Sequence, residues 1–290
     1  MKTYLSTLFG LLFSLLQPIN AQEIEPADQS QFPLKVMSFN IRYNNPNDGE
    51  HTWPNRKNRV ASVIRFHGAD LIGMQEALRD QIEDLQQLLP EYDWIGVGRD
   101  DGVDAGEFSP FFYRRDHFEV VDQGTFWLSE TPELPGSRSW DAAITRLANW
   151  ARLKDLRNNR SFFYLNTHFD HRGEQARTES ARLIVSRLQI MAANEPIIVT
   201  GDFNVPPSTE TYQIMTASLR DSRLLSITPP HGPEGTFSGF TVVPGSSYRR
   251  IDYIFVAEGI KVQRYGVISD QWNGNYPSDH LPVLAELLLP

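Results

Sequence analysis

The feature that most constrains this chain is residues 196–205, a short apolar, β-branched run that ends at Gly201 and continues into Asp202 and Asn204. Bounded by turn formers, it reads as a buried strand. Side chains at i and i+2 share a strand face, so Asp202 and Asn204 are expected to project together from the strand's end. A carboxylate beside a carboxamide at a sheet rim suits a water or a phosphoryl oxygen. It also suits a plain strand-to-turn exit, since Gly, Asp and Asn favour turns. Other stretches of the chain decide between the two.

The same pattern recurs. Residues 34–41 read as a strand carrying Asn40 near its end, and 70–77 as a second strand finishing at Glu76. Residues 146–153 and 161–167 form an expected hairpin around Asn158 and Asn159, with His168 and Asp170 just beyond it. Asp279 and His280 stand immediately before a final strand, 281–287, and Asp252 interrupts an apolar strand at 250–256. Further strands are expected at 92–98, 110–114, 118–128 and 261–267. Val60, Val63 and Ile64 are at helical spacing, with Gly68 as the stop, after a loop reaching about residue 54. More helices are expected at 78–89, 174–193 and 210–219. Many short strands with few helices predict one α/β domain, its sheets packed face to face under outer helices.

The N-terminus reads separately. Lys2, an apolar run over 4–16 and a small residue at Ala21 form a secretory signal peptide. The run is shorter than the roughly 20 residues a membrane span needs. Cleavage is expected after Ala21, leaving a loose segment at 22–33, a domain at 34–290 and no transmembrane segment. The chain has no cysteine, which excludes disulfides, thiol catalysis, cysteine-bound zinc and a lipid anchor on a processed cysteine. Export without disulfides fits a periplasmic or secreted protein. The formal charge of −9 falls to about −10 once Lys2 is removed. That balance gives no footprint for a polyanion, although a local basic cleft still leaves a nuclease open.

If the polar strand ends converge, they supply carboxylates, carboxamides and two histidines at one rim. Oxygen-rich ligation by few side chains is what Mg²⁺ or Mn²⁺ prefers. No pair of histidines has the helical spacing typical of zinc hydrolases. A hydrolytic phosphoester site needs a metal, an oriented water, a base and cations or amides on the phosphate. Each residue also has a bland reading. Glu76 suits the N-terminus of the following helix, Asn40 a turn, and His168 with Asp170 a solvated strand exit. Asp279 and His280 have no evident packing role. A buried Asp252 needs a hydrogen-bonding partner, and a histidine that must be oriented is a natural one.

Ser38-Phe39-Asn40-Ile41, Gln75-Glu76, Thr167-His168, Gly201-Asp202-Phe203-Asn204, Ile251-Asp252-Tyr253-Ile254 and Ser278-Asp279-His280 occur in this order. Together they resemble the endonuclease/exonuclease/phosphatase family, the DNase I-like metal-dependent phosphoesterases, over nearly all of 36–287. The segments around Trp127, Arg146 to Ala151 and Asp170 to Gly173 resemble an exported bacterial branch of it. The resemblance implies a four-layered α/β sandwich of two packed mixed sheets flanked by helices. It implies Glu76 as the main Mg²⁺ ligand, with Asn40 and Asp279 completing the metal environment. It implies Asp202 and Asn204 positioning the water and binding phosphate, His168 donating to a phosphate oxygen, and Asp252 paired with His280. Whether His280 or Asp202 takes the water's proton stays open.

Arg146 is a candidate phosphate clamp, because guanidinium matches phosphate oxygens in pairs; a salt bridge on the sheet surface is the alternative. Trp140, Phe108 and Phe240 either line the substrate cleft or cover core. The expected activity is hydrolysis of a phosphate mono- or diester by in-line attack of water. A monomer acting on a small phosphorylated metabolite, such as a phosphosugar, inositol phosphate or nucleotide, fits this acidic chain best. A secreted nuclease would want a basic, aromatic groove, and a sphingomyelinase-like phosphodiesterase an exposed amphipathic stretch. An inactive binding module on the same fold is the alternative of another class.

Overall fold

Along β1 (Leu34–Asn40), Leu34, Val36, Ser38 and Asn40 fall on one face and Met37 and Phe39 on the other. Both faces are buried, so each must pack against a different layer. The computed structural model describes residues 32–192, 194–242 and 249–290. The expected signal peptide and nearly all of the 22–33 segment lie outside them.

After β1 come a 3₁₀ turn (Gly49–His51), α1 (Trp53–His67), β2 (Leu71–Gln75), α2 (Arg79–Leu88), β3 (Tyr92–Ile95) and β4 (Phe111–Arg114). The second half continues with β5 (Phe118–Trp127), β6 (Leu147–Asp155), β7 (Arg160–His168), α3 (Glu174–Met191) and β8 (Ile197–Asp202). It closes with α4 (Glu210–Ser218), β9 (Arg220–Asp221), α5 (Ser222–Leu225), β10 (Asp252–Val256), β11 (Lys261–Val267) and β12 (Val283–Leu288).

These strands form two six-stranded sheets, β11-β12-β1-β2-β4-β3 and β5-β6-β7-β8-β10-β9. Each is mixed in the same way. One parallel pair, β1 with β2 or β7 with β8, sits among antiparallel neighbours. A parallel pair needs a crossover, and α1 and α3 supply the two.

The layers follow from the alternation. Between the sheets lie Leu34, Val36, Leu71, Phe111, Tyr164, Ile198, Ile254, Val283 and Ala285. Outside the first sheet, Met37, Phe39, Ile72 and Met74 pack on Val60, Ile64, Ile82 and Leu85 of α1 and α2. Outside the second, Phe163, Leu165, Val199 and Phe255 pack on Ile184, Leu188 and Met215 of α3 and α4. Each buried Val, Leu, Ile, Phe or Met among them contributes about 1.5–3 kcal/mol by leaving water. The result is the four-layered α/β sandwich expected from sequence.

The inter-sheet layer changes character toward one end. Beyond the apolar part comes a polar stratum. Asn166 Nδ2 donates to the Met74 carbonyl at 2.7 Å, and its Oδ1 accepts from Gln75 Nε2 at 2.8 Å and Thr200 Oγ1 at 2.9 Å. Tyr164 and Thr200 hydroxyls are 2.6 Å apart. Gly73 faces this network, and a Cβ there would stand 2.2 Å from Thr200 Oγ1 and 2.3 Å from Asn166 Oδ1. Past this stratum the same stripes end in Asn40, His168, Asp202 and Asp252.

Several boundaries differ from the sequence reading. α1 begins at Trp53, a residue or two earlier than expected, because Pro54 in the first turn needs no hydrogen-bond partner. Gly68 does stop it, with φ 61°. β9 and α5 were not anticipated; they are too short for a periodic signal. Asp221 accepts from Arg223 N at the start of α5 and from Arg250 Nη2 at 2.6 Å. Phe108 is core, packed in the cluster under α1 and α2. Among the described residues no helix is long and apolar enough to cross a membrane.

Candidate active site

Topology delivers the site to one rim. Asn40 closes β1 and Glu76 follows β2, while His168 closes β7 and Asp202 closes β8. These are the carboxyl ends of the two parallel pairs, where α/β sheets place ligands. Asp252 opens β10, antiparallel to β8, and Asp279-His280 precede β12, antiparallel to β1, so both reach the same rim.

Asp202 Oδ2 is the centre of the group. Asn40 Nδ2 donates to it at 3.0 Å, and the Nε2 atoms of His168 and His280 lie 3.4 and 3.7 Å away. On its far side His280 Nδ1 pairs with Asp252 Oδ2 at 2.9 Å. Asp202, Asp252, His168 and His280 are all buried.

Asp202 and Asn204 do converge, but not through strand alternation. The strand ends at Asp202, and Asn204 adopts a left-handed conformation with φ 53°. Asp202 Oδ1 accepts from Asn204 N at 2.9 Å, and the Asn204 amide then reaches His168 Nε2 at 3.2 Å. An Asx-type turn brings them together. Glu76 is likewise left-handed, with φ 63°, as is Arg42, with φ 57°. Such conformations cost non-glycine residues about 1–3 kcal/mol and cluster at functional sites.

Glu76 does not serve the following helix, which starts at Arg79. Its Oε1 accepts from Asn40 Nδ2 at 3.1 Å and its Oε2 from Tyr43 N at 3.3 Å. Arg42 stands 3.9 Å from Glu76 and 4.0 Å from Asp279, and is itself held by Asp48 at 2.9 Å.

The electrostatics separate the groups. Burial, then the Asp252 charge opposite, pushes the Asp202 carboxyl up to about 7. Burial also opposes charge on His280, but Asp252 and Asp202 outweigh it and hold the imidazole well above its ordinary value. Burial, reinforced by Arg146 and Arg99, holds His168 well below its ordinary value and so neutral. Asp279 is raised by burial and further by Glu76.

Two oxygen-rich groups could receive a cation. Ligand atoms of Asp202, Asp252 and His280 come within 4.8 Å of one another. That group is already internally compensated, because His280 lies between the two carboxylates. Glu76 instead stands beside the Asn40 amide and, with Asp279, faces only the more distant Arg42 as a cation within 4 Å among the described residues, and their hard oxygens suit Mg²⁺ or Mn²⁺. The second group fits a divalent ion better.

Arg146 is 5% exposed and has no carboxylate within 4 Å among the described residues. Its Nη2 is 3.4 Å from His171 Nδ1, and its Nε is buried without a partner. The surface salt bridge is therefore not what it makes. These residues line a cleft of about 590 Å³ with Arg42, Tyr43, Arg99, Glu107, Phe237 and Arg249. Phe240 stacks on His51, with centroids 4.3 Å apart, and does not line the cleft; neither does Trp140.

Sequence reasoning missed four charged residues here. Arg56, fully buried, donates to the carbonyls of Ile41, Arg42, His51 and Pro277, tying the segments that carry Asn40 and Asp279. Only its place in α1 was visible, among polar neighbours. Arg42 directly follows the Asn40 motif, which was a usable signal. Arg99 and Glu107 sit in a loop without periodicity and gave none.

A buried acid–histidine cluster at the rim of a four-layered α/β sandwich defines a class, the metal-dependent phosphoesterases of DNase I-like fold. A sequence model of the Endonuclease/Exonuclease/phosphatase family matches residues 37–280, and the chain belongs to that family. Its members are metal-dependent phosphoric ester hydrolases, and this chain is of that enzyme class.

An endonuclease/exonuclease/phosphatase from Bacteroides vulgatus is 42% identical, covering 89% of this chain and 100% of that one, with a TM-score of 0.86. A mannosyl-6-phosphatase of Bacteroides thetaiotaomicron is 40% identical, covering 88% and 99%, with a TM-score of 0.84. An uncharacterised protein of Acanthamoeba polyphaga mimivirus is 22% identical over 289 residues, 83% of this chain and 41% of that protein. The chain thus spans less than half the length of that curated relative.

Proposed function

We propose that the chain is an exported Mg²⁺-dependent phosphatase that releases phosphate from a small phosphorylated metabolite, a phosphosugar above all. The observation that carries this is the convergence of Asn40, His168 and His280 on Asp202, with the unpaired Arg146 in the same cleft. The cleft's volume lies in the small-ligand range. The relative at 40% identity named as a mannosyl-6-phosphatase supports the substrate class.

Glu76, with Asn40 and Asp279, would hold the metal, which when bound supplies Lewis acidity toward a phosphoryl oxygen. The chain's own groups do the rest. Arg146 and the Asn204 amide bind phosphate oxygens, and neutral His168 donates to one of them. Asp202 orients the attacking water and takes up its proton, with the charged His280 beside it. Asp252 fixes the His280 ring and offsets its charge, the role an acid partner has in any acid–histidine pair.

Export rests on Lys2, the apolar run and Ala21, with a mature chain starting at Gln22. Cell fractionation with N-terminal sequencing tests it, and an unprocessed cytoplasmic protein contradicts it. Size measurement in solution tests the monomer.

The substrate is tested with a panel of hexose 6-phosphates, inositol phosphates, nucleotides, bis-p-nitrophenyl phosphate, DNA and sphingomyelin, each with Mg²⁺, Mn²⁺ or EDTA. EDTA-sensitive phosphate release from sugar phosphates is expected. Cleavage confined to a diester would overturn the phosphatase reading, and binding without turnover would favour an inactive module.

A further inference from the structure

Arg99 and Glu107 line the cleft, and although their charges act on His168 and Arg146, neither is given a contact with the phosphate or the water above. They face each other across the loop hairpin 98–108. Arg99 N donates to the Glu107 carbonyl at 3.1 Å, and Gly98 bridges to Phe108. Phe108 N in turn donates to the Ala77 carbonyl at 2.7 Å, which stitches the hairpin to the residue after Glu76. From the other side, the Trp127 indole donates to the Arg99 carbonyl at 2.7 Å. The hairpin is thereby fixed relative to the site.

On this frame Arg99 Nη1 donates to Glu107 Oε2 at 2.6 Å, with the two side chains only 14% and 18% exposed. Desolvating such a pair is rarely repaid in stability, so folding alone gives little reason for it. The pair also has capacity left over. Arg99 Nη2 and Glu107 Oε1 make no hydrogen bond among the described residues, while the buried Arg99 Nε faces Asp100 Oδ1 at 3.7 Å. A free donor and a free acceptor are thus held side by side in the cleft.

A phosphate bound at Arg146 and Asn204 leaves its alcohol portion to the rest of the cleft. A hydroxyl both donates and accepts, so a polyol matches a carboxylate beside a guanidinium. A second anionic group would meet the Glu107 carboxylate. An aryl or alkyl group would bury both charges with their spare positions unfilled, which costs affinity. Arg42, the other guanidinium near the metal side, is already committed to Asp48 through two hydrogen bonds.

We propose that Arg99 and Glu107 form the subsite for the hydroxyls of the leaving alcohol and make the enzyme selective for phosphorylated sugars. This rests on the phosphatase reading and assigns its substrate preference to two residues.

The test compares kcat/KM of the wild-type enzyme, Glu107→Gln and Arg99→Lys on a hexose 6-phosphate and on p-nitrophenyl phosphate, with melting temperatures alongside. Each variant is expected to lose about ten-fold more on the hexose phosphate than on the aryl phosphate, mainly in KM. Equal losses on both substrates, or none on the sugar, overturn the assignment. Failure of both conservative variants to fold also overturns it, since the pair is then structural. A wild-type enzyme that ignores hexose phosphates but cleaves other esters overturns the substrate reading, and this assignment falls with it. A wild-type enzyme that cleaves them while the variants keep its selectivity overturns this assignment alone.

Discussion

Asp202 and Asp252 are direct cross-strand partners in the β8–β10 ladder. Like charges directly opposite destabilise a sheet, and here both side chains are buried. His280 resolves the conflict, reaching Asp252 with Nδ1 and approaching Asp202 with Nε2. The three groups act as one unit, and the sheet register places them before any substrate arrives.

That unity has a kinetic consequence. Asp252→Asn and His280→Ala are each expected to lower kcat by about 10²–10⁴-fold. The double variant should be little worse than His280→Ala alone, because residues acting as a unit are not additive. Steady-state kinetics on the three variants check this, and multiplicative losses would mean that Asp252 acts separately.

Arg146 is a buried cation awaiting an anion. Replacing it with Lys keeps charge but removes paired hydrogen bonding. The expected loss in kcat/KM is about 10–100-fold, the worth of one charged hydrogen bond. Inorganic phosphate should weaken as a competitive inhibitor in parallel. An unchanged inhibition constant would remove Arg146 from the phosphate site.

Asp170 gives a pH signature away from the metal. Burial opposes its charge, but N–H groups of Gly173, Arg172, Ile144 and Ala143 outweigh this and lower its pKa. A lowered carboxylate contributes stability that is present above its unfolded pKa and lost as pH falls through the folded one. Asp170→Asn should therefore cost about 1–3 kcal/mol at pH 7, and much less once the pH is below the lowered folded value. Denaturant midpoints at the two pH values decide it; equal costs would contradict the account.

Gly73 tests how the sheets meet. A methyl group there collides with the Thr200 and Asn166 side chains, both tied into the polar stratum. Gly73→Ala should lower stability by about 1–3 kcal/mol, read as a drop in melting temperature. No change would mean that the stratum yields easily.

Much of this was legible in the sequence. The stripe Leu34, Val36, Ser38, Asn40 runs from apolar to polar in steps of two, and the structure follows it from core to rim. The same gradient runs through Ile198, Thr200 and Asp202. Where backbone geometry departs from repeat, sequence reading failed. Asp202 and Asn204 were paired by strand alternation, whereas a left-handed residue unites them. Phe108 was open between cleft and core because its hairpin has no period, and a bridge to Ala77 sends it inward. Arg56 stayed invisible for another reason. Its partners are backbone carbonyls from distant segments, which no side-chain pattern announces.

The most direct test of the account is metal-dependent phosphate release by the purified wild-type protein, Glu76→Gln and His280→Ala, measured against Mg²⁺ concentration after EDTA treatment. The account expects wild-type activity to vanish with EDTA and return with Mg²⁺. It expects Glu76→Gln to need far more metal for half-maximal rate, and His280→Ala to keep the wild-type metal requirement at a greatly reduced maximum. Wild-type release that persists in EDTA, or variants that match wild-type throughout, would contradict it.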